Sequence, residues 1–199
     1  MTLTSQQTDA RRGSILEAAR RVLVRRGYQD FVLDDLAREA GVAKGTLFLY
    51  FKTKDELLTA TFAELVDRMG GELDAVAASG LKGGTLLEKA VHAILAHFDR
   101  NSDFLSQFGA GRFPGCGDKS CGLLMEKLSR NVNRLSTLLK RAQTRELRFE
   151  SSPSSAVALF GLCRSAFLYK RLSSAAGPLE GRARWVLDQF LYGAAGRRK

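Results

Sequence analysis

The stretch from Leu33 to Leu57, LDDLAREAGVAKGTLFLYFKTKDEL, limits what this chain can fold into more than any other. Asp34 and Asp35 place negative charge in the first turn of a helix, where the helix dipole favours it. Leu36, Ala37 and Ala40 give that helix an apolar face at three-to-four spacing. Gly41 ends it, because a left-handed residue closes a helix most easily without a side chain. Val42 is the apolar plug of the turn. A second helix is predicted from about Ala43 to Phe51, with Leu47 and Phe51 turned inward and Lys44, Thr46 and Tyr50 on the other face. Two short helices crossing over a small turn form a helix-turn-helix, whose second helix fits the major groove of DNA.

The flanking sequence supplies support for that motif. A first helix is predicted from about Asp9 to Arg26, with Ile15, Ala18, Ala19, Val22 and Leu23 on its buried face and Gly27 as its stop. Tyr28 and Phe31 then pack a three-helix head. Thr53-Lys54-Asp55-Glu56 reads as a capping box opening a long helix to about Met69, and Gly70-Gly71 predicts its loosening or end. Further helices are predicted over 86–98, 102–108, 123–147, 152–172 and 179–192, with a loop over 109–122, where five glycines and one proline fall together. Leu124, Leu128, Val132, Leu135, Leu139 and Ala142 make one apolar stripe, and Ser152-Pro153 is a helix opening. No alternating strand pattern and no internal repeat is visible. The predicted fold class is all-α, with a helix-turn-helix domain over residues 1–56 and a larger helical body over 57–199.

Hydrophobic residues make up 45% of the 199, enough for a buried core. No run of about twenty uncharged apolar residues exists, so no membrane span is expected. The opening MTLTSQQTDARRG lacks an apolar core, which predicts no secretory signal and a cytoplasmic location. The formal charge of +10 agrees with a polyanionic partner. Its distribution is uneven. Residues 1–68 hold eleven Lys or Arg against ten Asp or Glu, so the excess lies in the remainder. The acids of the head must therefore face away from phosphates if it binds DNA. The excess elsewhere suits either an acidic ligand or a solvated basic surface.

GVAKGTLFLYFKTKDELL resembles the DNA-binding signature of the TetR (tetracycline-repressor) family of bacterial transcriptional regulators. The resemblance covers roughly residues 10–58. It implies that Lys44, Thr46, Leu49 and Tyr50 turn toward the groove or its phosphate walls. It also implies that Gly45 lets the backbone approach, that Lys52 lies beside them, and that Lys54 holds a phosphate with a helix N-terminus. Arg11 and Arg12 are further candidates for the DNA backbone. Some positions depart from the pattern. Phe31-Val32-Leu33 stands where Thr or Ser is common, Ala43 where Ser is frequent, Phe48 where Tyr is, and Tyr50 where His is. Each removes or changes a cap or a polar contact.

The same resemblance implies a body that binds a small effector in an apolar cavity and dimerises through the last two helices. The clustered Phe98, Phe104, Phe108 and Phe113 suit an apolar or aromatic guest. Plain core packing accounts for them equally well. The last two helices are more apolar than a surface-packed pair needs, and Val157, Phe160, Phe167, Trp185, Leu187 and Phe190 are the expected dimer interface. A homodimer is what reading two half-sites requires.

The leading expectation is a homodimeric, ligand-responsive regulator that represses from a near-palindromic operator and is released by a small apolar effector of unknown identity. A second reading is a thiol-based redox sensor on the same scaffold, using Cys116 and Cys121 with Lys119 between them. A third is a helical small-molecule carrier or enzyme. Against catalysis stand the lack of a Gly-rich phosphate loop, of an HExxH motif and of any paired-carboxylate cluster. No metal site and no cofactor is expected. The three cysteines, an odd number, argue against a disulfide framework.

Overall fold

A computed structural model describes residues 5–107, 119–145, 147–173 and 177–193. Nine α-helices and one 3-10 turn lie among the described residues, with no strand: α1 Ser5–Arg26, α2 Leu33–Ala40, α3 Lys44–Tyr50, α4 Lys54–Ala78, α5 Gly83–Arg100, α6 Ser102–Ser106, α7 Lys119–Ala142, α8 Pro153–Ser173, the 3-10 turn Leu179–Arg182, and α9 Ala183–Tyr192. The all-α fold follows from apolar stripes at helical period throughout.

The chain packs into two compact units. One comprises Met1–Val66 with Ser102–Lys127, the other Asp67–Asn101 with Leu128–Lys199. This division differs from the predicted domains 1–56 and 57–199. The reason is packing: Phe104 of α6 is fully buried with its ring 6.2 Å from that of Phe62, and α6 lies on α1. The first part of α4 thus belongs to the same core as the helix-turn-helix.

In the first unit, Ile15, Ala18, Ala19, Val22 and Leu23 are all fully buried along α1. Gly27, with φ at 80°, closes α1 by donating its N–H to the Leu23 carbonyl at 2.8 Å. Leu36, Leu47, Phe51, Leu57 and Leu58 complete this core.

In the second unit, α5 is the central element, burying Leu86, Leu87, Ala90, Val91, Ile94, Leu95 and Phe98. It packs on α8, α9 and the 3-10 turn. Asp99 ties three of these together: it accepts from Lys170 Nζ of α8 at 2.6 Å and from the Leu179 N–H at 3.0 Å. Burial alone raises the pKa of that carboxyl. The Lys170 and Leu179 hydrogen bonds outweigh it and hold Asp99 below the usual carboxylate range.

Two helix ends differ from the sequence expectation. α4 runs through Gly70-Gly71 to Ala78. A β-carbon on Gly70 would lie 2.7 Å from Asn131 Oδ1 and 3.0 Å from Arg134 Nη1, so this glycine permits close approach of α7 rather than a break. Arg134 also clasps Asp74 of α4 through Nε at 2.9 and 3.0 Å. α7 stops at Ala142, short of Leu147, because side chains capture the backbone there. Leu147 donates to Thr144 Oγ1 at 3.0 Å, and Gln143 Nε2 donates to the Phe149 carbonyl at 3.0 Å. The Ser152-Pro153 opening of α8 is present, with Ser152 Oγ accepting the Ser155 N–H at 3.1 Å.

Candidate nucleic-acid interface

The turn between α2 and α3 is built by Gly41 at φ 64° and by the Val42 N–H, which donates to the Ala37 carbonyl at 3.0 Å. Neither helix has a side-chain cap: Val32 and Ala43 occupy those positions. Packing therefore holds the motif. Leu36 and Ala37 of α2 and Leu47 of α3 are buried, and Phe51 follows at 4% exposure. Arg12 of α1 lies over the Phe51 ring, 5.3 Å from its centre.

With Leu47 inward, the rest of α3 faces out. Lys44, Gly45, Phe48 and Leu49 are exposed, and Thr46 and Tyr50 are half-buried. Leu49 is 76% exposed. A β-carbon on Gly45 would meet nothing within 4 Å. Lys44 Nζ sits 2.9 Å from Asp34 Oδ1, so the α3 cation is poised beside the first turn of α2. Lys52 is exposed, and its Nζ donates to the Phe48 carbonyl at 3.0 Å.

Lys54 behaves differently from its neighbours. Its Nζ donates to the Tyr28 carbonyl at 3.1 Å and lies 5.0 and 5.5 Å from the centres of the Tyr28 and Phe31 rings. The ammonium is thus engaged within the head. At the same helix start, Thr53 Oγ1 accepts the Glu56 N–H at 3.0 Å. The Glu56 carboxylate reaches back to the Lys52 N–H at 2.7 Å, one residue earlier than a capping box requires.

Two of the α2 acids, Glu39 and Asp35, are paired with arginines. Glu39 accepts from Arg21 Nε at 2.7 Å and from Arg25 Nη2. Asp35 pairs with Arg38 at 3.0 Å and Arg26 at 3.4 Å. The hydrogen bonds from Arg21 and then Arg25 hold the Glu39 carboxyl below its ordinary pKa. An open cleft of about 600 Å³, lined by Val22, Arg25, Arg26, Asp35, Arg38 and Glu39, runs beside these pairs, and its charged walls do not suit an apolar guest. Two of the three α2 acids are thus paired with arginines, while Asp34 remains exposed beside Lys44.

Two of the effector candidates lie among the described residues, one in each unit. Phe104 belongs to the first unit, against Phe62. Phe98 belongs to the second, 5.5 Å from Phe160 and 5.7 Å from Phe167 between ring centres. Phe108, Phe113 and Cys116 lie outside the described residues, as does the Cys121 side chain. Of the expected dimer residues, Val157 and Trp185 are 54% and 42% exposed, and Phe160, Phe167, Leu187 and Phe190 are half-buried. Leu168, Tyr169 and Leu172 extend the exposed apolar surface of α8. Among the described residues, no group of three or more His, Cys, Asp or Glu is arranged to hold a metal ion. No helix among them is long and apolar enough to cross a membrane.

One polar cluster has no signal in the sequence. His97 of α5, 1% exposed, places Nδ1 3.2 Å from Glu72 Oε1, which also accepts from Arg100 Nη2 at 2.6 Å. His97 Nε2 and Glu72 Oε2 are buried without a hydrogen-bond partner. Burial lowers the imidazole pKa and outweighs the opposing pull of Glu72. Glu72 and His97 are 25 residues apart on different helices, so only tertiary structure pairs them.

A short outward-facing helix over a Gly-Val turn, mounted on a third helix in an all-α chain, defines a helix-turn-helix motif. Residues 15–61 match the family described as bacterial regulatory proteins, tetR family. It is 34% identical over 84 residues to the fatty acid metabolism regulator protein of Bacillus subtilis (strain 168), a match covering 42% of each chain. The match thus spans about two-fifths of that relative's length. Over nearly its whole length the fold resembles the fatty acid degradation regulator FadR from Bacillus halodurans (TM-score 0.74, 19% identity, 99% of this chain and 100% of that one). It also resembles FadR from Bacillus subtilis, solved in complex with stearoyl-CoA (TM-score 0.69, 19% identity, 91% and 98%). At these identities the structural likeness establishes the fold.

Proposed function

We propose that this chain is a transcriptional repressor that binds a near-palindromic operator as a homodimer and is released by a small effector. The observation that carries this is α3, a helix with one buried residue, Leu47, whose Lys44, Phe48 and Leu49 side chains are exposed, as is Lys52 just beyond its end. Lys44 and Lys52 supply phosphate contacts, Thr46 and Tyr50 supply hydroxyls, and Gly45 allows close approach. Lys54 acts by bracing Tyr28 and Phe31 beneath the motif.

The exposed Val157 and Trp185, with the half-buried Phe160, Phe167, Leu187 and Phe190, support dimerisation through α8 and α9. The effector is read as apolar from the phenylalanines of its candidate lining, Phe98 among them. The stearoyl-CoA bound by B. subtilis FadR makes long-chain acyl thioesters the first class to try, and the basic excess beyond residue 68 suits their anionic head. Effector binding acts by differential affinity for two states of the dimer. A regulator of this kind is non-catalytic and works in the cytoplasm. Footprinting across its own upstream region is the test, expected to show a protected palindrome whose affinity falls steeply with salt, by about 0.9 log units per log unit of salt for each phosphate neutralised. Absence of any protected site overturns the reading.

A further inference from the structure

We propose that Leu49 reads the 5-methyl group of a thymine in each operator half-site, so that the half-site is recognised largely through apolar contact. The inference rests on the DNA-binding reading above and gives its recognition helix a chemical specificity. Residues 44–50, KGTLFLY, contain no Arg, Asn, Gln, Asp, Glu or His. Those types make most of the paired hydrogen bonds to base edges that distinguish one base pair from another. Lys44 is the one long polar side chain in the helix, and its Nζ already lies 2.9 Å from Asp34 Oδ1. Direct reading by hydrogen bonds is thereby reduced to that lysine and the Thr46 and Tyr50 hydroxyls.

Packing among the described residues leaves Leu49 largely in solvent. At about 100° per residue it points some 200° away from Leu47, the side chain that anchors α3 in the core. It is 76% exposed, whereas Leu47 is 2% exposed. Gly45 lies four residues before Leu49 on the same face and presents no side chain. Backbone can therefore come close to the groove floor just where Leu49 reaches forward. Phe48, 40% exposed, adds apolar surface alongside. The only apolar group on a major-groove edge is the thymine methyl.

The test uses the full chain and the operator selected by it from a randomised DNA pool. Each thymine is replaced in turn by deoxyuridine, which removes the methyl and keeps the pairing. One position per half-site is expected to lose affinity about fourfold, the value of one buried methyl-sized group. Leu49→Ala, on an exposed side chain, is expected to keep the wild-type melting temperature, bind more weakly, and respond equally to thymine and deoxyuridine at that position. Indifference of the wild-type chain to every such replacement overturns the inference and leaves the regulator reading standing, as does a Leu49→Ala variant that still discriminates. Failure to enrich any sequence from the pool overturns both.

Discussion

Both α3 and the α8–α9 pair hold large apolar side chains in solvent, and the comparison turns on extent. On α3 the exposed apolar surface is Phe48 and Leu49 in a seven-residue helix that begins at Lys44 and is followed by Lys52. On α8 it recurs from Val157 to Leu172, about 22 Å of helix at 1.5 Å per residue, with Trp185 and Tyr192 on α9. A patch of two side chains between cations matches a few methyl groups on a polyanion. A strip of several turns matches another helix. Length and charge surroundings, rather than hydrophobicity alone, separate the two proposed partners.

The comparison breaks most visibly if the long strip is charged. Trp185→Glu combined with Val157→Arg is expected to give a monomer by light scattering and to weaken operator binding about a hundredfold, with helical content unchanged. A variant that stays dimeric removes α8 and α9 from the interface. Next in size is Asp99→Ala, which leaves the Lys170 ammonium and Leu179 N–H without their acceptor. It is expected to lower stability by about 2 kcal/mol in chemical denaturation. DNA affinity per folded molecule should hold, because that carboxylate serves the second unit alone.

Lys52→Ala probes the short patch, with an expected affinity loss of about tenfold and a salt slope smaller by about one phosphate. Unchanged binding and slope would take Lys52 out of the interface. The smallest effect concerns His97. Burial holds its folded pKa below the ordinary histidine value of about 6.5, so the unfolded chain takes up the proton first. The stability gained by keeping it neutral is therefore present above about pH 6.5 and is lost as pH falls below it, at no more than about 1.4 kcal/mol per pH unit. Melting temperatures from pH 7.5 to 5.5 should show this decline, and His97→Gln should flatten it.

The motif was legible because its constraints are local. Gly41, Val42, Leu47 and Phe51 act within a few residues of each other, and their roles follow from helix period and turn chemistry. Pro153 marked the start of α8 for the same reason. What escaped was set by distant neighbours. Lys54 reads as an outward cation until Tyr28, 26 residues earlier, offers its carbonyl. The His97–Glu72 pair needs two helices to exist at all. The grouping of α6 with the head rests on Phe104 meeting Phe62, a contact that no period in either segment encodes.

Gly70 and Gly71 are chemically identical neighbours inside one helix, yet their histories under random substitution must diverge. Position 71 opens onto empty space, so alanine there is tolerated and removes the entropic handicap of a helical glycine. At position 70 a β-carbon would lie 2.7 Å from Asn131 Oδ1 and 3.0 Å from Arg134 Nη1, so any replacement there requires those α7 side chains to shift. The two sites should therefore look unlike in any collection of descendants, one permissive and one coupled to residue 131.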